Sequence, residues 1–342
     1  MRQLTFIRPG VLEWHDVPEP RLQQADDALV RPVAVTTCDL DGPTIRGETP
    51  LALMGPFAFG HEFVAEVIEC GDLVSHVQPG QLVNVPFQIS CGECARCRRG
   101  LTANCSAVPL RSMFGFPHAL GGEWGGALAD RVRVPFARRM LIPLPPGVSP
   151  EVAASASDNL PDGWRTVAPH LERLPGAPVL IVAGGAHSIA LYAAQIALAL
   201  GSERVDFVDV DRGRLELAKA AGAHPIEGPP PQKLGPYAIT VDASADPAGL
   251  ECALRSLEPG GVCTSVGIYY GDMTPVPLLD MYGKGVHFHT GRVNALADMP
   301  PVLELIRSKR IDPARVSSEI VAWENAGDAL AEPSMKPVFV RP

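Results

Sequence analysis

The segment CGECARCRRGLTANC holds Cys91, Cys94, Cys97 and Cys105, half of the eight cysteines in the chain. Two, two and seven residues separate them. Tetrahedral zinc requires four thiolates around one point, and gaps this short let a tight loop wrap the ion. Gly92 and Gly100 supply turn freedom, and Arg96, Arg98 and Arg99 offset the negative charge of a tetrathiolate centre. An iron–sulfur cluster on the same thiolates and four unrelated buried thiols are the rival readings. A zinc held by four cysteines has no open coordination position, so this site is expected to hold a loop and perform no reaction.

A second stretch, VLIVAGGAHSIAL, places a glycine turn between an apolar strand and a helix. That is the context of a dinucleotide fingerprint, because such a turn brings the helix N-terminus to a pyrophosphate. The three small positions of the fingerprint fall on Ala183, Gly185 and Ser188, of which only the middle one is glycine. Gly184, Gly185, Ala186 and His187 are the cofactor-binding candidates. An ordinary strand–helix unit that binds nothing is the alternative. Further on, RVDFVDVD brings Asp209 to the distance expected of a ribose ligand. Its carboxylate favours NAD over NADP, since it accepts from ribose hydroxyls and repels a 2′-phosphate. Arg212 and Arg214 work against that preference. Asp206 and Asp211 read as solvated.

Elements must position these groups. The first half reads as short strands broken by Gly and Pro, among them ALVRPVAVTT, FVAEVIECG and QLVNVPFQ. EFVAEVIECGDLVSHVQPGQLV reads as a pair of strands, a turn and another strand. The texture changes after about Ser149. PEVAASASDNLPDGWRTVAPHL is helical in part, and Pro150 suits a first helical turn. APVLIVAGG, RVDFVDVD, AITVDAS and VCTSVGIYY then alternate as strands with the helices HSIALYAAQIALALG, RGRLELAKAAGA and LECALRSLEPGG. Gly201 and Gly222 close the first two helices. This rhythm predicts crossover units and a parallel sheet with helices on both faces. The C-terminal segment adds one helix, MPPVLELIRSKR, and a closing strand, KPVFVR.

Composition bounds the partners. The formal net charge of −9 argues against a nucleic-acid surface. With 46% hydrophobic and 20% charged residues, the chain supports a real core. No run of apolar residues is long enough to span a membrane, and no secretory leader pattern is visible. A cytoplasmic location is expected, where thiols stay reduced and clustered cysteines favour metal over disulfides.

The cysteine loop, the segment GHEFVAEVIECG and the glycine turn together resemble the zinc-containing alcohol dehydrogenases of the medium-chain dehydrogenase/reductase superfamily. The likeness covers nearly the whole chain. It implies an α/β architecture: a GroES-like, β-rich catalytic zinc domain (residues 1–159 and 290–342) and a Rossmann doubly wound parallel-sheet domain (160–289). It implies two zincs, one structural on the four cysteines and one catalytic on Cys38, His61 and Asp158. Each of the three is weak alone: Cys38 as a core thiol, His61 as a buried histidine and Asp158 as a helix cap are ordinary roles. Together they form an S, N, O set that suits zinc with a fourth position open. Glu62 is a further oxygen donor, either to the metal or around it. The aspartate at 158 is similar to the branch that contains glutathione-independent formaldehyde dehydrogenases. Matched residue by residue, His187 falls behind the nicotinamide ring, and Lys336 where relatives carry a basic residue near the cofactor pyrophosphate. Asp209 and Arg214 complete the cofactor set.

The implied activity is hydride transfer between a small alcohol (or aldehyde or ketone) and NAD in a homodimer or homotetramer, with no nucleic acid or membrane partner. Phe57, Phe114, Trp124 and Tyr282 are candidate pocket residues. Two departures motivate other readings. Leu40 stands where relatives start a proton relay with a hydroxyl, and Pro43 where many have histidine. This suggests tightly held NAD with a dismutase- or lyase-type net reaction. The eroded glycine pattern suggests a degenerate, non-catalytic binding member.

Overall fold

The computed structural model describes residues 1–317, 319–332 and 335–342. It divides into two compact units, Met1–Pro161 with Asn294–Pro342, and Asp162–Val293.

The first unit is built on strands β1 (Arg2–Arg8), β2 (Val11–Asp16), β3 (Ala28–Thr36), β4 (Phe57–Ala58), β5 (Glu62–Cys70), β6 (Leu82–Val85), β7 (Val132–Val134) and β8 (Ile142–Pro143). The second contributes β9 (Val179–Ala183), β10 (Val205–Asp209), β11 (His224–Glu227), β12 (Tyr237–Ala243), β13 (Leu257–Ser265) and β14 (His287–His289). The chain then returns to the first unit with β15 (Glu319–Ala322) and β16 (Pro337–Val340).

In the first unit a seven-stranded sheet runs β15-β16-β3-β5-β6-β8, with β7 also paired to β3. The antiparallel β3–β5 pair is its spine, and its register slips at Pro32, which has no N–H to give the ladder. FVAEVIECG is a strand as expected, but EFVAEVIECGDLVSHVQPGQLV holds one strand, β5, and not a pair before the turn to β6. β1 and β2 form a hairpin joined to β4 in a small second sheet. Phe6, Phe57, Phe59, Phe63 and Phe114 fill the core, with ring centroids 5.0 Å apart for Phe6–Phe57 and 5.7 Å for Phe63–Phe114. Truncating such a ring to alanine costs about 3–5 kcal/mol. Phe57 and Phe114 are therefore core residues.

The second unit is a parallel six-stranded sheet of order β11-β10-β9-β12-β13-β14. Every residue of β9, β10 and β12 is buried, as expected of central strands covered on both faces. The helix His187–Ala199 is buried from Ser188 to Ala197, so it is apolar nearly all round. Gly201 (φ 92°) and Gly222 (φ 102°) take left-handed conformations after their helices. LEPGG opens β13 and does not prolong the preceding helix, Pro247–Arg255. Asp206 is fully buried, not solvated: it takes bonds from Arg204 and the Tyr237 hydroxyl (2.6 Å), beside His224 Nδ1 at 3.0 Å. Asp211 caps the helix Arg212–Ala220 by accepting from the Arg214 N–H at 2.9 Å. Among the described residues, no helix is long and apolar enough to cross a membrane.

Candidate metal and cofactor sites

Cys38 follows β3, His61 precedes β5, and Asp158 lies just before the helix Asn159–Arg173. Their ligand atoms come within 4.8 Å of one another, and all three residues are buried. Local chemistry fixes each one. Gly60 (φ 88°) turns the chain into His61, where a Cβ would meet Leu128 N at 3.1 Å. A Cβ on Gly115 would strike Gly60 O at 2.4 Å, so the neighbouring loop can approach only without one. The Ser157 hydroxyl donates to Phe63 O at 2.9 Å and accepts the Phe63 N–H at 3.0 Å, which staples the Asp158 segment to β5. Asp41 accepts the Cys38 N–H at 2.9 Å, and its other oxygen faces His61 Nδ1 at 4.0 Å. Phe87 and Phe116, with ring centroids 5.5 and 4.9 Å from that of His61, wall the imidazole.

The electrostatics call for a cation. Both ring nitrogens of His61 are buried without a hydrogen-bond partner among the described residues. Nε2 lies 3.4 Å from Asp158 Oδ2. Burial opposes charge on His61, but Asp41, Asp158 and Glu62 outweigh it and push its pKa up. Burial, reinforced by Asp41, Asp158 and Glu62, holds the Cys38 thiol far above its ordinary value. A thiolate, an imidazole and a carboxylate of this kind fit a divalent zinc, which replaces the proton and relieves the repulsion. Burial also pushes the Glu62 carboxyl up, while Lys336 pulls it back toward the charged form.

Lys336 is neither solvated nor turned to the solvent face. Its ammonium is buried, donating to the Thr37 carbonyl and to both oxygens of Glu62 at 3.1 and 3.2 Å. Ser157, Phe87 and Phe116 belong to no sequence motif. Only the acidic flank of Cys38 gives a signal, in CDLD.

Cys91, Cys94, Cys97 and Cys105 form a second donor cluster, their sulfurs within 4.8 Å of one another. Backbone N–H groups point at the sulfurs: Cys94 N at 3.3 Å from Cys91 Sγ, Cys97 N at 3.5 Å from Cys94 Sγ, and Ala107 N at 3.4 Å from Cys105 Sγ. Such donors stabilise thiolates. Gly92 (φ 70°) is required, since a Cβ would lie 2.7 Å from Arg139 Cγ. Arg98 and Arg96 bond backbone carbonyls of the lobe, of Glu93 at 2.6 Å and Asn104 at 3.2 Å. Their charge is thus held near the thiolates, and their hydrogen bonds brace the loop.

In the second unit the turn follows β9 as expected. Gly185 is exposed, Gly184 half-buried, and His187 opens the helix half-buried. Ala183 and Ser188 are buried beneath the turn. The Asp209 side chain, at the end of β10, is gripped by Arg214 through two bonds of 2.7 Å. Arg212 instead pairs with Glu227 at 2.8 Å on the surface. Tyr282 belongs to this unit and is 84% exposed, and Trp124 in the first unit bonds Gly121 O at 3.0 Å.

Residues 24–146 match the alcohol dehydrogenase GroES-like domain, and residues 188–308 match the zinc-binding dehydrogenase family. A probable zinc-binding alcohol dehydrogenase of Mycobacterium tuberculosis is 30% identical over 337 residues, covering 97% of this chain and 85% of that one. The chain belongs to the zinc-binding alcohol dehydrogenase family. The solved alcohol dehydrogenase of Thermus sp. ATN1 superposes with a TM-score of 0.88 at 30% identity, covering 100% of both chains. The glutathione-independent formaldehyde dehydrogenase of Pseudomonas aeruginosa is 34% identical over 237 residues, but that match spans 65% of this chain and 57% of the other. Likeness to this aspartate-ligand branch is thus partial, and membership in the wider zinc alcohol dehydrogenase family holds for the whole chain.

Proposed function

We infer that the chain is an NAD-dependent alcohol dehydrogenase with a catalytic zinc on Cys38, His61 and Asp158 and a structural zinc on Cys91, Cys94, Cys97 and Cys105. The observation that carries this reading is the buried Cys38–His61–Asp158 triplet, whose ligand atoms lie within 4.8 Å of one another. When bound, the zinc supplies Lewis acidity toward a substrate oxygen and NAD accepts the hydride. The chain's own residues do the rest. Asp41 fixes the Cys38 loop and faces His61, Phe87 and Phe116 keep water from the imidazole, and Lys336 holds Glu62 beside it. Leu40 offers no hydroxyl, so the proton leaves through water or another polar group.

The Gly184–His187 turn would hold NAD and Asp209 its ribose hydroxyls, with NADP the weaker cofactor. The partial match to a formaldehyde dehydrogenase and the oxygen donor at 158 make small aldehydes and their alcohols the first substrates to test. Self-association is expected at β14, an edge strand, beside Leu278, Leu279 and Tyr282, which are 67%, 85% and 84% exposed. A groove of ≈ 520 Å³ at Leu278 and Leu279 lies on the same face and holds no metal donor set among the described residues. The deciding experiment is NAD reduction by zinc-loaded protein across a panel of alcohols and aldehydes, with metal and cofactor analysis. A two-zinc protein that reduces no NAD and releases it only on denaturation sinks this reading and favours the dismutase or lyase reading that Leu40 motivates.

A further inference from the structure

Asp242 is buried near the C-terminal end of β12, between β9 and β13. Its Oδ1 accepts the N–H and the hydroxyl of Ser244 at 3.1 and 2.6 Å. Its Oδ2 accepts the hydroxyls of Ser265 and Tyr269 at 2.6 and 2.7 Å. Ser265 ends β13, and Tyr269 stands in the loop after it. Among the described residues no cation pairs with this carboxylate. Four donors satisfy it instead, which a carboxylate can accept and an amide cannot.

The residues next to Asp242 hold the glycine turn. Ala243 O accepts the Ala186 N–H at 2.9 Å, and Ser244 O accepts the Gly185 N–H at 2.8 Å. The fit has no slack, since a Cβ on Gly184 would lie 2.7 Å from Ser244 O and one on Gly185 3.0 Å from Ala245 Cβ. Ala245 is held at φ 55°, a conformation that L-residues adopt only when their surroundings impose it. The Asp246 N–H to Ser244 Oγ bond at 3.1 Å is part of that constraint.

We propose that Asp242 is a positioning residue for the dinucleotide, holding Ala243 and Ser244 so that their carbonyls set the Gly184–His187 turn in the shape that receives a pyrophosphate. The proposal rests on the cofactor reading above and deepens it. The carboxylate joins the loops after β12 and β13 to the turn after β9, so one side chain controls three of the loops at the switch point of the sheet. Ser244 transmits the constraint, and Ser265 and Tyr269 keep the carboxylate from swinging toward solvent.

The test uses full-length, zinc-loaded protein and NADH as the probe. Titration calorimetry gives the Kd, and hydrogen exchange reads the Gly185 and Ala186 amides. Asp242→Asn is expected to weaken NADH by about tenfold, the scale of a lost charge-assisted bond. Amide exchange at Gly185 and Ala186 should rise while both zincs are retained. Tyr269→Phe, at a half-buried site, is expected to weaken NADH by a few-fold. A folded Asp242→Asn with wild-type Kd and wild-type exchange overturns the proposal. If Asp242→Asn does not fold, unchanged Kd values in both Tyr269→Phe and Ser244→Ala overturn it. A wild type that binds no NADH overturns the cofactor reading instead, and amide exchange still tests the positioning.

Discussion

The ammonium of Lys336 lies 3.1 and 3.2 Å from the two carboxylate oxygens of Glu62, and neither side chain reaches solvent. A pair this deep neutralises one of the carboxylates that crowd the His61 imidazole. Removing one partner strands the other. Lys336→Met is expected to destabilise by about 3–5 kcal/mol, the range for breaking a buried ion pair. The double variant Lys336→Met/Glu62→Gln should recover much of that loss, because no charge is then left alone. Thermal unfolding of the four proteins in the cycle checks this. Equal Tm values for the single and double variants would count against the pairing.

The two metal sites should be separable. Cys94→Ser is expected to lose one zinc and much stability, since thiolate–metal bonds are folding energy for so short a loop. His61→Ala is expected to lose the other zinc and fall to background turnover with the fold intact. Metal analysis and circular dichroism read both. A single zinc in fully loaded wild type contradicts the two-site picture.

In the proposed cofactor site, the Arg214–Asp209 pair is expected to set the choice between NAD and NADP. Asp209→Gly removes the carboxylate and leaves the Arg214 guanidinium to a 2′-phosphate. The NADPH/NADH affinity ratio should rise by roughly tenfold or more, the scale of one charge-assisted hydrogen bond. Fluorescence titration with both reduced cofactors measures it. A ratio that stays fixed shows that Asp209 does not face the ribose.

Acid should act partly through His170. Burial, helped by the nearby His289 and Arg173, pushes its pKa down to about 4, and its Nε2 is 3.0 Å from Thr264 Oγ1. Unfolded, a histidine takes up its proton near pH 6.5. Between those values the unfolded chain binds more protons, so stability falls as pH drops from about 6.5 to about 4 and is fully present above that window. His170→Gln keeps a hydrogen-bonding group and removes the titration. Relative to this variant, wild type should lose Tm on going from pH 7.5 to pH 5. A Tm difference independent of pH would sink the assignment.

The four cysteines of the loop are legible in the sequence because their spacing is short, whereas Cys38, His61 and Asp158 lie far apart and are legible only through the family resemblance that the GHE segment helps to carry. The central strands are legible because burial on both faces leaves continuous apolar runs such as VLIVA. The edge strands β11 and β14 are not. HPIE and HFH are only four and three residues long, polar at their ends and paired on one side only, so they carry no period. The hairpin β1–β2 is hidden too, its alternation being interrupted by Pro9 and Gly10. Asp206 reads as solvated because nothing local reveals that Arg204, His224 and Tyr237 meet over it; Tyr237 lies 31 positions away. The same holds for Glu62 and Lys336, whose separation of 274 positions only the fold removes.

The return of residues 294–342 to the first unit sets an order of assembly. Residues 162–293 form one uninterrupted stretch, so every strand of the parallel sheet has been synthesised before the C-terminal tail emerges. The antiparallel sheet must wait. β16 pairs with β3 from Val338 to Val340, and Lys336, one residue before β16, closes over Glu62. On a ribosome, residues 162–293 can therefore mature while the first unit still lacks a strand and the counter-ion of Glu62, as domain-wise folding allows. Nascent chains stalled before residue 336 should protect the segment 162–293 from protease and leave β3 and β5 open to cleavage.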